Sequence, residues 1–211
     1  MSTELIIVFT RYPEAGRTKT RLIPELGPQG AADLQRQMAE HVLGRLRAGF
    51  DVSAPSIEIR YDGGDPDTMQ NWLGEDLRYE SQGEGDLGNR LERAFREAFD
   101  RGVDRAIAIG TDCPALSLEH IRKGFESLSA QPVVFGPTFD GGYYLVGISR
   151  ARRVQSLAAL FSQIDWGSEV VLQQSVARLS TWHIEHALLE SLVDVDRPED
   201  LEVWKRIISC Q

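Results

Sequence analysis

The sequence predicts an α/β fold, a single domain with a mostly parallel sheet and helices on both faces. Short unbroken apolar runs recur at residues 5–9 (LIIVF), at 105–109 (RAIAI) and at 132–135 (PVVF). Such runs read as strands buried on both faces. Between them lie segments with apolar residues at helical spacing, for example Ala31, Leu34, Met38, Val42 and Leu46. Loops rich in Gly, Pro and Asp close the apolar runs. Strands that alternate with helices imply a mostly parallel sheet.

In order, residues 5–9 are the first strand, followed by a loop over 11–18 with Pro13 and Gly16. An amphipathic helix is expected over about 29–48. Residues 56–61 alternate like a strand, with Ile57 and Ile59 on one face. Asp62-Gly63-Gly64-Asp65-Pro66 is a turn, a short helix runs to about Leu73, and 77–81 is a further strand. A glycine-rich loop, residues 82–90, leads into a helix with Leu87, Leu91, Phe95 and Phe99 on one stripe. RAIAI ends in Gly110-Thr111-Asp112-Cys113-Pro114, and Ser117 opens the next helix with a capping-box-like Ser-Leu-Glu-His. Residues 132–135 and 143–148 form two strands joined by a hairpin-like link through Asp140-Gly141-Gly142, which makes one member antiparallel. Helices are expected near 151–161 and 168–179, an edge strand at 181–185, and a strand-like segment at 192–196 (LVDVD). The last helix carries Leu201, Trp204, Ile207 and Ile208. No linker, repeat or low-complexity stretch divides the chain, so one domain over 1–211 is the simplest organisation.

With 211 residues the chain can build one sizeable core. A net charge of −9 and a pI of about 5.0 argue against broad nucleic-acid or anionic-membrane binding. No run of 18 apolar residues supports a membrane span, and Glu4 before a five-residue apolar run does not make a signal peptide. Cys113 and Cys210 make no disulfide scaffold, so a reduced cytoplasmic compartment is the expectation.

Arg17, Lys19 and Arg21 cluster just past the first strand, with Arg11 and Gly16 in the same loop. Cations there suit a polyanion, because ligands of open α/β sheets bind beyond the carboxyl ends of the strands; a solvated basic loop is the plain alternative. The loop is not a Walker A loop, because Gly16 is followed by Arg17 and Arg11 stands where the first glycine belongs. Gly83, Gly85 and Gly88 match G-x-G-x-x-G, but the polar segment before them is a poor dinucleotide-binding strand. These glycines imply a tight loop at a helix start that could face an anion or a base.

Asp112 sits just beyond a buried strand, where a carboxylate could meet the cationic loop through Mg²⁺ or Mn²⁺ and substrate phosphates; it could equally cap a turn. Asp194 and Asp196, two apart, would share a face and repel without a cation, so they are further metal candidates, with Asp112 plus Asp196 the favoured pair. Helix capping is the alternative role of Asp196. Asp140, Gly141, Gly142 and Tyr143 suit a turn or a close approach to a flat ligand such as a sugar or base. His183 and His186 read as surface residues rather than metal ligands. Cys113 reads as a small buried residue rather than a nucleophile.

Five motifs together, FTRYPEAGRTKTRL, QGEGDLGNRL, GTDCPAL, FGPTFDGGYYLVG and DVDRPEDL, give a resemblance over about residues 5–203. The chain resembles the bacterial glycosyltransferase-like proteins of the nucleotide-diphospho-sugar transferase superfamily, some of them labelled arsenosugar-biosynthesis glycosyltransferases. The superfamily also holds molybdenum-cofactor and phospholactate guanylyltransferases. The resemblance implies a metal-dependent transferase that takes a nucleotide-activated donor and a small-molecule acceptor, with glycosyl transfer from a nucleotide sugar as the expected reaction. Nucleotidyl transfer with release of pyrophosphate is the alternative, and a non-catalytic nucleotide-binding module a third. By that likeness Lys19, with Arg11 or Arg21, holds phosphates. Gln82, Gly83 and Gly85 lie against the base, and Asp112 binds the metal with one of the closing aspartates. The usual D-x-D is replaced by Asp112-Cys113-Pro114, and the G-x-G-x-R of nucleotidyltransferases by Tyr12 to Arg17, so neither reaction is singled out. A homodimer stays open as the assembly.

Overall fold

A computed structural model describes residues 3–49, 55–152 and 157–209. Cys210 and part of the helix expected near 151–161 lie outside the described residues. The seven strands are β1 (Glu4–Arg11), β2 (Ser56–Asp62), β3 (Arg78–Ser81), β4 (Arg105–Ile109), β5 (Val133–Pro137), β6 (Tyr143–Ser149) and β7 (His186–Leu188). They form one sheet in the order β3-β2-β1-β4-β6-β5-β7. All pairings are parallel except those of β6, which runs antiparallel to β4 and β5.

The helices are α1 (Ile23–Gly49), α2 (Pro66–Leu73), α3 (Leu87–Asp100), α4 (Leu118–Ala130), α5 (Leu157–Phe161), α6 (Val171–Thr181) and α7 (Leu201–Ser209). β1 shows why its run is unbroken. Ile6 and Val8 face a core built with α1, α2 and α4, whereas Leu5 and Ile7 face a second core built with α3, α5 and α6. The fold is therefore α/β with helices on both faces. A third cluster seats α7 on α1 through Leu34, Met38, Leu201 and Trp204.

Several expectations are corrected. The helix expected from about 29 begins at Ile23 and is broken at Gly27 (φ +72°), so Pro28 opens the longer part. The edge strand expected at 181–185 is displaced to β7, because α6 continues to Thr181 and His183 turns the chain with φ +52°. The LVDVD segment is not a strand. Leu192 makes one bridge to Thr138, and the rest of the segment is held by bonds to other loops. The strand at 56–61 does put Ile57 and Ile59 on one face, but Glu58 and Arg60 opposite are also buried, at 1% and 2% exposure. Glu58 Oε1 accepts from Arg60 Nε at 2.6 Å, and Arg60 NH2 lies 2.7 Å from Glu97 Oε2 on α3.

Candidate functional site

A cleft of about 400 Å³ opens beyond the carboxyl ends of β1 and β4. This is where the strand order reverses, the position at which open α/β sheets take ligands. Its lining has two electrostatic ends. Asp112, Asp140 and Asp194 line one, and Arg11 and Arg90 with Asp62 and Gln82 line the other. Between them lie the buried Thr10, Thr111 and Gln35, whose Nε2 is 3.4 Å from both threonine hydroxyls.

The acidic end is assembled by three loops. Val195 N–H donates to the Asp112 carbonyl at 2.8 Å, which fastens the closing loop to the end of β4. Leu192 N–H donates to the Pro137 carbonyl at 3.0 Å, tying the same loop to β5. Lys19 comes from the loop after β1 in a left-handed conformation (φ +47°). Its side chain is almost fully buried, and Nζ lies 2.7 Å from Asp112 Oδ1, 2.6 Å from the Val195 carbonyl and 3.6 Å from Asp196 Oδ1. Burial pulls the ammonium's pKa down, but Asp112, Asp196 and Asp194 outweigh it and hold the group above its ordinary value.

Asp196 is engaged by cations. Arg21 NH1 donates to its Oδ2 at 2.5 Å, and the residue is not part of the cleft lining. Asp194 does line the cleft and, among the described residues, its carboxylate has no ion-pair partner; burial first, and then the charges of Asp140, Asp196 and Asp200, push it up to about 6. Asp140 Oδ1 accepts from Thr138 Oγ1 at 2.5 Å and from Gly142 N–H at 3.0 Å, so the Asp-Gly-Gly turn is locally closed. The Tyr143 ring packs on Phe135 and Trp166, with centroids 5.1 and 6.2 Å away. The Cys113 thiol is buried, and burial followed by the charges of Asp194 and Asp112 pushes its pKa well up, the opposite of an activated thiolate. Among the described residues no group of three or more His, Cys, Asp and Glu side chains is disposed to hold a metal ion, His183 and His186 included.

At the other end, Gln82 closes the cleft wall. Its Nε2 donates to the carbonyls of Thr10 (3.1 Å) and Arg60 (3.0 Å), and its Oε1 accepts from Arg90 NH1 (3.0 Å). Arg93 donates to the Gln82 and Glu84 carbonyls, and Arg90 Nε to the Gly85 carbonyl. The loop carrying Gly83 and Gly85 is thus laced to α3 by arginines. In the first loop, Gly16 is exposed, and Arg17 pairs with Glu14 at 3.3 Å.

Lys19, Asp112, Asp194 and Asp196 converge, but of these only Asp112 and Asp194 line the cleft, as do Arg11, Gln82, Asp140, Gly142 and Tyr143; Gly16, Lys19, Arg21, Gly83, Gly85, Gly141 and Asp196 do not. Gln35 lies outside every motif, and Arg90, inside the QGEGDLGNRL motif, is given no role by it. Gln35 stands on the buried stripe of α1 between Leu34 and Met38, and a polar residue at such a position was its signal.

Residues 45–168, more than half of the chain, match a family described as uncharacterized proteins conserved in bacteria, DUF2064. The chain belongs to the DUF2064 family. A solved structure from Desulfovibrio desulfuricans G20, described as a candidate nucleotide-diphospho-sugar transferase, is 34% identical to this DUF2064 chain. The match covers 98% of this chain and 87% of that one, with a TM-score of 0.89. The fold extends to more distant structures. A nucleotidyl transfer enzyme from Methanothermobacter is 17% identical, with full coverage of both chains and a TM-score of 0.66. A CMP:2-keto-3-deoxy-manno-octonic acid synthetase solved with CTP is 15% identical, with 99% coverage of both and a TM-score of 0.60. No curated protein matches in sequence. These matches establish the nucleotide-diphospho-sugar transferase-like fold of this DUF2064 protein. Among its described residues no helix is long and apolar enough to cross a membrane.

Proposed function

We propose that this protein is a transferase that binds a nucleotide-activated donor in the cleft and passes part of it to a small-molecule acceptor. The observation that carries the reading is the two-ended cleft at the strand-order reversal, with Lys19 fixed beside Asp112 at its acidic end. The 34% identical relative described as a candidate nucleotide-diphospho-sugar transferase supports a nucleotide sugar as donor, and glycosyl transfer as the reaction.

Mg²⁺ or Mn²⁺ fits this end of the cleft. Asp112 is half exposed, and Asp194 is crowded by other carboxylates with no cation of its own. A magnesium ion needs only one or two protein carboxylates, because waters and phosphate oxygens complete its octahedron. Asp112 and Asp194 would hold it, while Asp196 stays with Arg21 and Lys19. When bound, the metal offsets charge on the phosphate that reacts or leaves. Lys19, buried behind Asp112, keeps that carboxylate oriented and adds positive charge to this end of the cleft. Asp140 closes the turn that borders the acceptor's side of the cleft.

The test is a thermal-shift panel of nucleoside triphosphates and nucleotide sugars, with and without Mn²⁺, followed by product analysis. A ligand of the native state at a hundredfold excess over Kd stabilises it by about 2.7 kcal/mol. A metal-dependent shift with nucleotide sugars and release of a nucleoside diphosphate are expected. A triphosphate preference with release of pyrophosphate would move the assignment to nucleotidyl transfer, and binding without turnover of any donor to a non-catalytic module. No shift with any nucleotide would sink the reading.

A further inference from the structure

The basic end of the cleft has an unusual internal contact. Asp62 ends β2 and reaches between Arg11, at the end of β1, and Arg90, on the first turn of α3. One oxygen, Oδ2, accepts from Arg11 Nε (3.1 Å), Arg11 NH2 (2.5 Å) and Arg90 NH1 (3.2 Å). All three side chains line the cleft and are partly open to it, at 52%, 30% and 25% for Arg11, Asp62 and Arg90. Both guanidinium groups are also braced from behind. Arg11 NH1 donates to the Arg17 carbonyl, and Arg90 donates to Gln82 and to the Gly85 carbonyl. The arginines are therefore fixed by the protein, whereas among the described residues the Asp62 carboxylate is held by the two arginines alone.

We infer that Asp62 is a stand-in anion: Arg11 and Arg90 form a seat for a phosphate group of a ligand, and Asp62 fills that seat until the ligand displaces it. Two braced guanidiniums against one monoanionic carboxylate leave a net positive charge on the cleft wall, in a chain whose overall charge is −9. Arginine forks match phosphate oxygens bidentately, so a dianionic phosphate gains more from the pair than one carboxylate oxygen does. Once displaced, Asp62 is repelled by the incoming dianion and can turn to solvent, because it already lies at the cleft mouth. The contact sets the threshold for ligand entry: only a group that out-competes Asp62 is retained. The phosphate can come from the donor or from a phosphorylated acceptor. The inference rests on the cleft being the ligand site and not on the reaction performed there.

The experiment is titration calorimetry of the full chain with inorganic pyrophosphate. Asp62→Asn keeps the side-chain shape but removes the competing charge, and should bind pyrophosphate about tenfold tighter than the parent. Adding Arg90→Gln to Asp62→Asn should return the affinity to the parent value or below. Unchanged or weaker binding by a folded Asp62→Asn would overturn the inference, since a purely structural ion pair predicts that result. If that variant does not fold, the parent still decides the matter. Pyrophosphate should shift the guanidinium Nε–H resonances of Arg11 and Arg90, and their invariance at saturation would also overturn it. Repeating the titration with GTP and then CTP present separates the two sources. Competition assigns the seat to the donor's phosphates, and simultaneous binding to the acceptor's; either supports the seat. Absence of transferase turnover would leave the titration unaffected.

Discussion

Lys19 Nζ lies 2.7 Å from Asp112 Oδ1 and donates to the Val195 carbonyl at 2.6 Å, so one buried ammonium joins the first loop, the end of β4 and the closing loop. The cation expected to hold phosphates is also a structural tie. Replacing it leaves a buried carbonyl without a donor and Asp112 without its partner.

Lys19→Met should therefore lower both stability and nucleotide affinity. A broken buried pair costs about 3–5 kcal/mol. Asp112 is half exposed and can rehydrate, so a loss of about 2 kcal/mol is expected here. The folded-state pKa of Lys19 is raised, so its contribution is fully present below the ordinary 10.5 and is lost only as pH rises through the higher folded value. Urea unfolding of parent and variant at pH 7 measures the effect. An unchanged midpoint would remove the structural role.

Asp194 gives a pH dependence of opposite sense. Its carboxyl titrates near 3.8 unfolded and near 6 folded, so the folded state holds the proton more tightly. Stability then falls as pH rises from about 4 to about 6, and the penalty is complete above that. A shift of about two units is about 3 kcal/mol at face value. Asp194 is only half buried, so solvent screening reduces this to about 1 kcal/mol. Asp194→Asn should stabilise by that amount at pH 8 and by nothing at pH 4. Melting curves at both pH values check it, and an equal gain at both would refute the electrostatic cause. Mn²⁺ should narrow the gap at pH 8 by supplying the parent with the cation it lacks.

The buried pair on β2 predicts a larger effect with a rescue. Glu58 accepts from Arg60 and Arg101 and is 1% exposed, so Glu58→Gln removes the counter-charge of Arg101 and leaves the buried Arg60 with Glu97 alone. A loss of about 3–5 kcal/mol is expected. Converting both members, Glu58→Leu with Arg60→Met, should recover most of it, because an apolar pair of similar volume avoids the desolvation of both ions. Chemical denaturation of the parent and the two variants decides. A double variant no better than Glu58→Gln would mean that Arg78 and Arg101 need the carboxylate for themselves.

β2 also marks the limit of what the sequence discloses. The runs at β1, β4 and β5 were legible because a strand covered on both faces needs apolar residues at every position. The period of two placed Ile57 and Ile59 together, but it cannot say whether a helix covers the opposite face. Here α3 does, and it supplies Glu97, with Arg101 just past its end, to neutralise what it buries. Asp112 and Lys19 were legible because each follows a recognisable strand. Arg90 was not, since its role depends on where α3 brings its first turn relative to Asp62. The sequence marks the closing aspartates as a pair but does not sort them. Asp196 belongs to Arg21 and Lys19 and Asp194 to the cleft, a division set by loop-to-loop bonds such as Val195 to Asp112.

The turn at Gly141 offers a steric test of the cleft wall. Gly141 has φ +90°, and a Cβ there would lie 1.9 Å from the Glu169 carbonyl oxygen. The obstacle is backbone, and Leu172 N–H donates to the Gly141 carbonyl at 2.9 Å, so the two loops are already in contact and cannot yield by a side-chain rotation. Gly16 makes a matched control, with φ +82° and nothing within 4 Å of the same virtual atom. Gly16→Ala should cost only the backbone preference, about 1 kcal/mol. Gly141→Ala adds the clash and should cost about 3 kcal/mol or more. For a chain of this size 1 kcal/mol moves Tm by about 2–4 °C, so the difference between the variants should be at least about 4 °C. Gly141→Ala should also weaken ligand binding at temperatures where it is folded, because separating the two loops carries Asp140 away from Asp112 and Asp194. Equal melting of the two variants would show that the loops separate without cost, and the turn would then not be a fixed wall of the cleft.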